Sequence, residues 1–298
     1  MENTPILTLG IPTRHTGSKS IIRTIKSIRE SAGDIPVDII MVSDNLPLAQ
    51  EILSELKDMG VRVIENKTPG SQFQKLSQII KMVQTPYFVF TQDDVLFTPS
   101  AVRNILKGIE KKPNCTLLSV KVLSYPASHF IERVIQVGVD ISYEIGRAWR
   151  RGNNYLLANG RCMVFKTKKI QEFRLPESVV NGDAYLYFIN KLTGGTMCHI
   201  PSAVVLNNNP QRIKEHLNQA KRFQYSREEM EKIFAKDLGM EYGVPMSLEL
   251  SKTFVSMVRN PIHTACYILV NLLSKVIRTD KSIVSRTVWE SAESTKRP

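Results

Sequence analysis

The sequence predicts an α/β fold: a mostly parallel central sheet with helices on both faces, followed by a C-terminal helical extension. Three observations predict it. Short apolar runs alternate with helical stretches through the first hundred residues, polar residues stand where those runs end, and the pattern turns mixed after Thr98. Short strands separated by helical segments imply parallel pairing, with each strand covered on both sides. A chain of 298 residues, 42% of them hydrophobic, suffices for one large domain with an appendage.

The first strand is expected at Ile6–Ile11, a helix over Ser18–Ser31 and a second strand at Val37–Val42. A helix then begins with proline at Pro47–Met59, a short strand follows at Val61–Ile64, a helix at Ser71–Val83 and a fourth strand at Tyr87–Thr91. In such a sheet, ligands collect beyond the carboxyl ends of the strands. Pro12, Thr13 and Arg14 stand there after the first run, Ser43, Asp44 and Asn45 after the second, and Gln92, Asp93 and Asp94 after the fourth. Beyond them a helix is expected from Pro99 to Lys111 and a strand from Thr116 to Leu123. Residues Arg133–Gly160 read as antiparallel strands and a loop. Arg161–Lys166 reads as a strand, and the segment from Gly182 as a helix closed by Gly194 and Gly195.

Adjacent aspartates on a turn after a buried strand offer hard oxygen ligands to Mg²⁺ or Mn²⁺, ions that also bind nucleotide phosphates. Asp44 suits a hydrogen bond from a nucleobase or ribose. Transfer of a sugar needs a base for the acceptor hydroxyl as well, and Asp183, opening a helix, is such a carboxylate. Each of these acids also suits the cap of a turn or helix; for Asp44 and Asp94, their common placement at one sheet edge favours a site. Around Trp149, the arginines Arg147, Arg150 and Arg151 offer forked hydrogen bonds to phosphate, and the indole a face for a sugar. An exposed basic hairpin with Trp149 in the core is the competing reading.

With these motifs in this order, the chain resembles the family 2 glycosyltransferases of the GT-A (Rossmann-like) fold over about residues 5–225. The resemblance rests on IPT after the first strand, VDIIMVSDN, TQDDV in place of the Asp-X-Asp motif, NGRCMVFK, GDAYLYF and NNNPQRIKEHLNQAKRF. It implies inverting transfer of a sugar from a nucleotide diphosphate sugar to a hydroxyl of a glycan or lipid-linked acceptor. It implies Asp183 as base, Asp94 and Asp93 as ligands of Mn²⁺ or Mg²⁺, and Pro12, Thr13, Arg14, Asp44, Lys75 and Asp93 around the nucleotide sugar. On the acceptor or diphosphate side it implies Gly160, Gln219 and Arg222, beside Trp149 and Arg150. Gln92 replaces the first acid of the usual motif, Gly182 the acid before the base, Phe223 the usual tryptophan, and Asn207 a histidine that contacts metal in some relatives. A nucleotidyltransferase would carry a glycine-rich basic loop near the N-terminus, which is absent; a catalytically silent, membrane-associated binder of sugar nucleotides is the other alternative.

The resemblance suggests a catalytic domain of residues 1–225 and a helical extension of 226–298. In the extension, Ile262, Ala265, Cys266, Leu269, Leu272, Leu273 and Val276 fall on one helical face, with Lys252, Arg259, Lys275, Arg278, Lys281 and Arg286 nearby. The run is short for a spanning helix; contact with an anionic membrane surface, packing on the domain, or a homo-oligomer contact are the alternatives. The net charge of +12 lies in the later two thirds of the chain, yet no nucleic-acid-binding motif accompanies it. His15, His129, His199, His216 and His263 show no metal spacing. Cys115, Cys162, Cys198 and Cys266 suggest neither a zinc site nor a disulfide framework. With no secretory signal pattern at the start, a cytoplasmic protein, peripheral on the inner membrane face, is expected.

Overall fold

The computed structural model describes residues 4–14, 19–44, 47–276 and 295; His15, Asn45, Arg278, Lys281 and Arg286 lie outside them. Strands β1 (Leu7–Pro12), β2 (Val37–Ser43), β3 (Val61–Glu65) and β4 (Tyr87–Thr91) run parallel, with α1 (Ser20–Ala32), α2 (Gln50–Asp58) and α3 (Gln72–Met82) between them. β5 (Val95–Phe97), α4 (Ala101–Lys111), β6 (Leu117–Ser124), α5 (Phe130–Ala148), β7 (Cys162–Lys166), α6 (Thr167–Gln171), α7 (Gly182–Leu192) and β8 (Met197–Asn207) follow. Among the described residues these strands form one sheet of eight, in the order β3-β2-β1-β4-β7-β6-β8-β5. Among the described residues, α8 (Ile213–Phe234), α9 (Gly239–Tyr242), α10 (Met246–Arg259) and α11 (Pro261–Val276) come after the sheet.

Alternation along each strand builds a core on both faces. Ile39 and Met41 of β2 and Val89 of β4 join Ile25 and Ile28 of α1 and Ile105 of α4 on one side. Ile40, Val42, Phe88 and Phe90 meet Phe73 and Ile79 of α3 and Phe188 of α7 on the other. A period of two sends neighbouring residues to opposite faces, so covering both faces demands continuous apolar runs. Gly10 is part of that fit: a Cβ there would lie 2.5 Å from the Phe88 ring and 2.7 Å from Ile79.

Two expectations are corrected, and one strand is found where none was expected. Of residues 133–160, expected as antiparallel strands and a loop, those up to Ala148 belong to the helix α5 (Phe130–Ala148). Buried Val134, Ile135, Gly138, Ile141 and Ile145 recur at helical spacing. Glu132 accepts hydrogen bonds from the backbone N–H groups of Ser128 (2.9 Å) and His129 (3.1 Å), closing the first turn. Packing of that stripe against α10 and α11 outweighs the strand preference of its valines and isoleucines. Secondly, a strand follows the helix that ends near Gly194: β8 pairs with β6, and its apolar alternation is broken at exposed Pro201 and Ser202, where the register shifts. Thirdly, Cys115 and Cys198 form a disulfide across 83 residues, with Cα atoms 6.0 Å apart. Pairing of β6 with β8 sets Leu118 opposite Cys198 and so brings the two cysteines together. Cys162 and Cys266 are free thiols.

Candidate active site

The parallel order β3-β2-β1-β4 points the ends of β1, β2 and β4 to one edge. After β2, Asp44 is buried, and its Oδ2 accepts from Lys75 Nζ at 2.6 Å and from the Gly70 N–H at 2.7 Å. Its Oδ1 is buried with no hydrogen-bond partner among the described residues. Lys75 comes from α3, whose first turn is capped by Ser71, and is itself only 4% exposed. Burial lowers the pKa of its ammonium, Asp44 opposes that shift, and Lys75 further feels Arg14 and Asp93. A buried ion pair with one acceptor oxygen still unsatisfied costs desolvation energy that a merely structural position has no need to spend.

Beyond β4 three successive side chains serve three surroundings. Asp93 is buried; its carboxylate accepts a hydrogen bond from Thr13 Oγ1 after β1, and its carbonyl accepts one from Thr24 of α1 at 3.1 Å. Asp94 lines a narrow cleft of about 10 Å³ with Ser20, Arg23, Thr24, Tyr125, Asn207 and Asn208. This is close to the room one water molecule needs. The β5–β8 pairing sets Val95 opposite Asn207, so that Asn207 and Asp94 both line this cleft. Asn207 Nδ2 donates to the Asn208 carbonyl at 3.1 Å, which leaves its oxygen as the acceptor. Gln92 turns toward Gly160: a Cβ on Gly160 would sit 3.6 Å from Gln92 Nε2, 3.5 Å from the Phe90 ring and 3.4 Å from Asp183 Cβ.

Asp183 lies in the first turn of α7, accepting from the Ala184 N–H at 2.9 Å and the Gly160 N–H at 3.4 Å. Arg222 of α8 donates to the Val180 carbonyl at 3.4 Å; burial lowers the guanidinium pKa, while the charges of Asp183 and Glu229 oppose the shift. Gly182 allows the close approach of α3, since a Cβ there would meet Phe73 at 2.8 Å. Acids distant in the chain thus gather around the end of β4.

Glu229, which the sequence did not single out, fixes this corner. It is buried on α8 and accepts from the backbone N–H groups of Val180 (2.6 Å) and Asn181 (3.0 Å) and from the Asn181 amide (2.8 Å). The segment entering α7 is thereby clamped. No spacing rule marks Glu229, because its partners lie 48 and 49 residues away. Tyr125 and Asn208 were missed too; strand ends that pair out of sequence order bring them to Asp94.

Gln219 lies on α8 near Arg222. Trp149 is buried, edge-on to Tyr155 with centroids 6.0 Å apart. Arg150 stacks on Trp149, pairs with Glu241 and donates to the Met240 carbonyl at 2.9 Å. These contacts tie the turn after α5 to α9, and no described contact links Trp149 or Arg150 to the acids.

Residues 8–173, more than half of the chain, match the family described as Glycosyl transferase family 2. The chain belongs to that family. As a family 2 glycosyltransferase, it has the GT-A fold, and its structural neighbours include the mannosyltransferase PcManGT from Pyrobaculum calidifontis, solved with GDP-Man and Mn²⁺. That likeness has a TM-score of 0.54 at 14% identity and covers 93% of this chain and 77% of that one. TarS of S. aureus matches with a TM-score of 0.49 at 14% identity, over 73% of this glycosyltransferase and 38% of TarS. A search of the curated proteins finds no match. The family match takes in Thr13, Asp44, Lys75, Asp93, Asp94 and Gly160, whereas Asp183 and Arg222 lie beyond its end.

Proposed function

We propose that this glycosyltransferase moves a sugar from a nucleoside diphosphate sugar to a hydroxyl of a glycan or lipid-linked acceptor, with inversion at the anomeric carbon. The observation that carries the reading is the Asp183 carboxylate, held by two backbone N–H groups beside the end of β4 and within the field of Arg222. Asp183 takes the proton of the acceptor hydroxyl. The acceptor oxygen then bonds to the anomeric carbon from the face opposite the diphosphate, and the carbon–oxygen bond to the diphosphate breaks with its electron pair leaving on phosphate.

The buried Oδ1 of Asp44 accepts from the base or ribose, while Lys75 and Arg14 answer the negative charge of the donor. Asp94, with Asn207 on the wall of the same cleft, would offer oxygen ligands to Mg²⁺ or Mn²⁺, ions that take one or two carboxylates and complete their shell with water and phosphate; Asp93, held by Thr13, would add its charge from behind. Among the described residues no three His, Cys, Asp or Glu form a metal cluster. When bound, the ion neutralises charge on the departing diphosphate. The catalytic unit runs to the end of α8, because Glu229 holds the segment that carries Asp183.

Nucleoside diphosphate sugars are screened by thermal shift with Mn²⁺ or Mg²⁺ and then assayed for donor turnover. The wild type is expected to bind and turn over one of them; Asp183→Asn is expected to bind it and not to turn it over. Binding without turnover by the wild type under every acceptor and metal condition would establish a silent sugar-nucleotide binder instead.

A further inference from the structure

Helices α10 and α11 turn apolar residues outward. On α10, Met246, Leu250, Phe254 and Val258 recur every fourth position and form one row. All four are exposed, Phe254 at 69%. On α11, Ile262, Leu269, Leu272 and Leu273 are exposed as well, Leu269 at 61%. The inner faces are already used, since Leu248 and Tyr267 pack on Val137, Ile141 and Ile145 of α5. A Cβ on Gly138 would lie 2.0 Å from the Tyr267 ring, so α5 and α11 are in close contact. The pair is anchored without its outward row, and a contiguous exposed apolar patch marks an interaction surface.

Beside this row, α5, α8 and α11 enclose an apolar groove of about 230 Å³, walled by Phe130, Val134, Ile135, Ile213, Cys266 and Leu269. Leu269 belongs to both features, so the groove opens onto the exposed face. The groove lies below the ~300 Å³ where small-molecule pockets begin, a size for part of a hydrocarbon chain. Its rim leads to the Asp94 cleft: one short segment joins Tyr125 to Phe130 and another joins Asn208 to Ile213. The two segments are tied where Asn209 Nδ2 donates to Ser124 Oγ at 2.7 Å and the Tyr125 N–H donates to the Asn207 carbonyl at 2.7 Å.

Charge selects the occupant. α10 and α11 carry Lys252, Arg259 and Lys275 against Glu249 alone, and Arg133, Arg212 and Lys214 are exposed near the groove against half-buried Glu215, on a chain of net charge +12. A second copy packed symmetrically on this face would set cations against cations. Anionic head groups neutralise them, and only a lipid also supplies a chain for the groove. No helix among the described residues is long and apolar enough to cross a membrane, so the contact is interfacial.

We propose that α10 and α11 dock this protein on an anionic lipid surface, the groove between α5, α8 and α11 receiving a hydrocarbon chain from it. Docking brings the Asp94 cleft to the membrane, where a lipid-linked acceptor presents its head group. That last consequence rests on the transfer reading above; docking itself does not.

The test is flotation of the full chain with phosphatidylcholine vesicles, with and without phosphatidylglycerol, alongside sedimentation velocity without lipid. The wild type is expected to float with anionic vesicles. Leu250→Glu with Phe254→Glu is expected to weaken binding by roughly 10-fold or more, and Arg259→Glu with Lys275→Glu several-fold. Unchanged melting temperature establishes that each variant is folded. Asp183→Asn is expected to float like the wild type, so failure of the transfer reading leaves this result standing. A wild type that stays at the bottom of the gradient, variants that float equally, or a dimer that the Leu250 and Phe254 changes dissociate without any lipid binding would each overturn docking.

Discussion

The end of β4 and the α10–α11 pair invert the usual arrangement of a globular protein in opposite directions. Around β4 the chain buries charge: Asp44 and Lys75 form an ion pair at 2.6 Å with side-chain exposures of 0% and 4%. Along α10 and α11 it exposes hydrocarbon, with Phe254 and Leu269 in solvent while the inner faces pack on α5. Neither arrangement is what folding alone would select, since buried charges lose hydration and exposed apolar side chains gain nothing from burial. Each departure supports one of the two proposals: a polar, phosphate-bearing ligand at the sheet edge and an apolar one at the helices.

The largest effect that would break this contrast is at Asp183. Asp183→Asn is expected to lower kcat by about 10²–10⁴-fold with donor affinity retained, as loss of a general base does, measured by release of nucleoside diphosphate. Next is Asp44→Ala, which leaves Lys75 buried without its partner and should destabilise the fold by about 3–5 kcal/mol in denaturant unfolding. Adding Lys75→Met should restore much of that stability but not donor binding, separating the ligand role from the structural one.

His199 supplies a buried polar group between the two regions. It contacts Ser119 Oγ at 3.0 Å and Tyr143 OH at 3.2 Å, and burial, helped by Lys112, depresses its pKa to about 4. With an unfolded pKa near 6.5, the unfolded chain binds the extra proton first. The contribution is thus present above about pH 6.5 and lost as pH falls toward 4, up to roughly 3 kcal/mol. His199→Gln should flatten that part of the stability–pH curve, read from denaturation midpoints between neutral and acid pH. The smallest effect is expected on α10: Phe254→Ser should change stability by less than about 0.5 kcal/mol, since its side chain is already in water. A larger loss in thermal unfolding would mean that the outward row is part of the core.

The acids at the sheet edge were legible because alternation marks strands and a strand's end is where polar residues re-emerge. Asp44, Asp93 and Asp94 each stand one or a few residues past a run that no other element explains. α5 was misread because its valines and isoleucines suit either state, and only packing on α10 and α11 selects the helix. Glu229 and the Cys115–Cys198 pair carried no local signal at all, as their partners are dozens of residues away.

From residue order alone came the parallel half of the sheet, the carboxylates beyond its strands, the family resemblance and the apolar face of the last helix, since all depend on short-range periodicity. Tertiary structure decided which groups come together: Asp44 with Lys75, Asn207 and Asp94 in one cleft, Glu229 with the entry to α7, and the groove beneath Leu269. Those contacts join segments whose separation in the chain holds no information about their distance in space, and only the packing of one sheet between two helical layers brings them together.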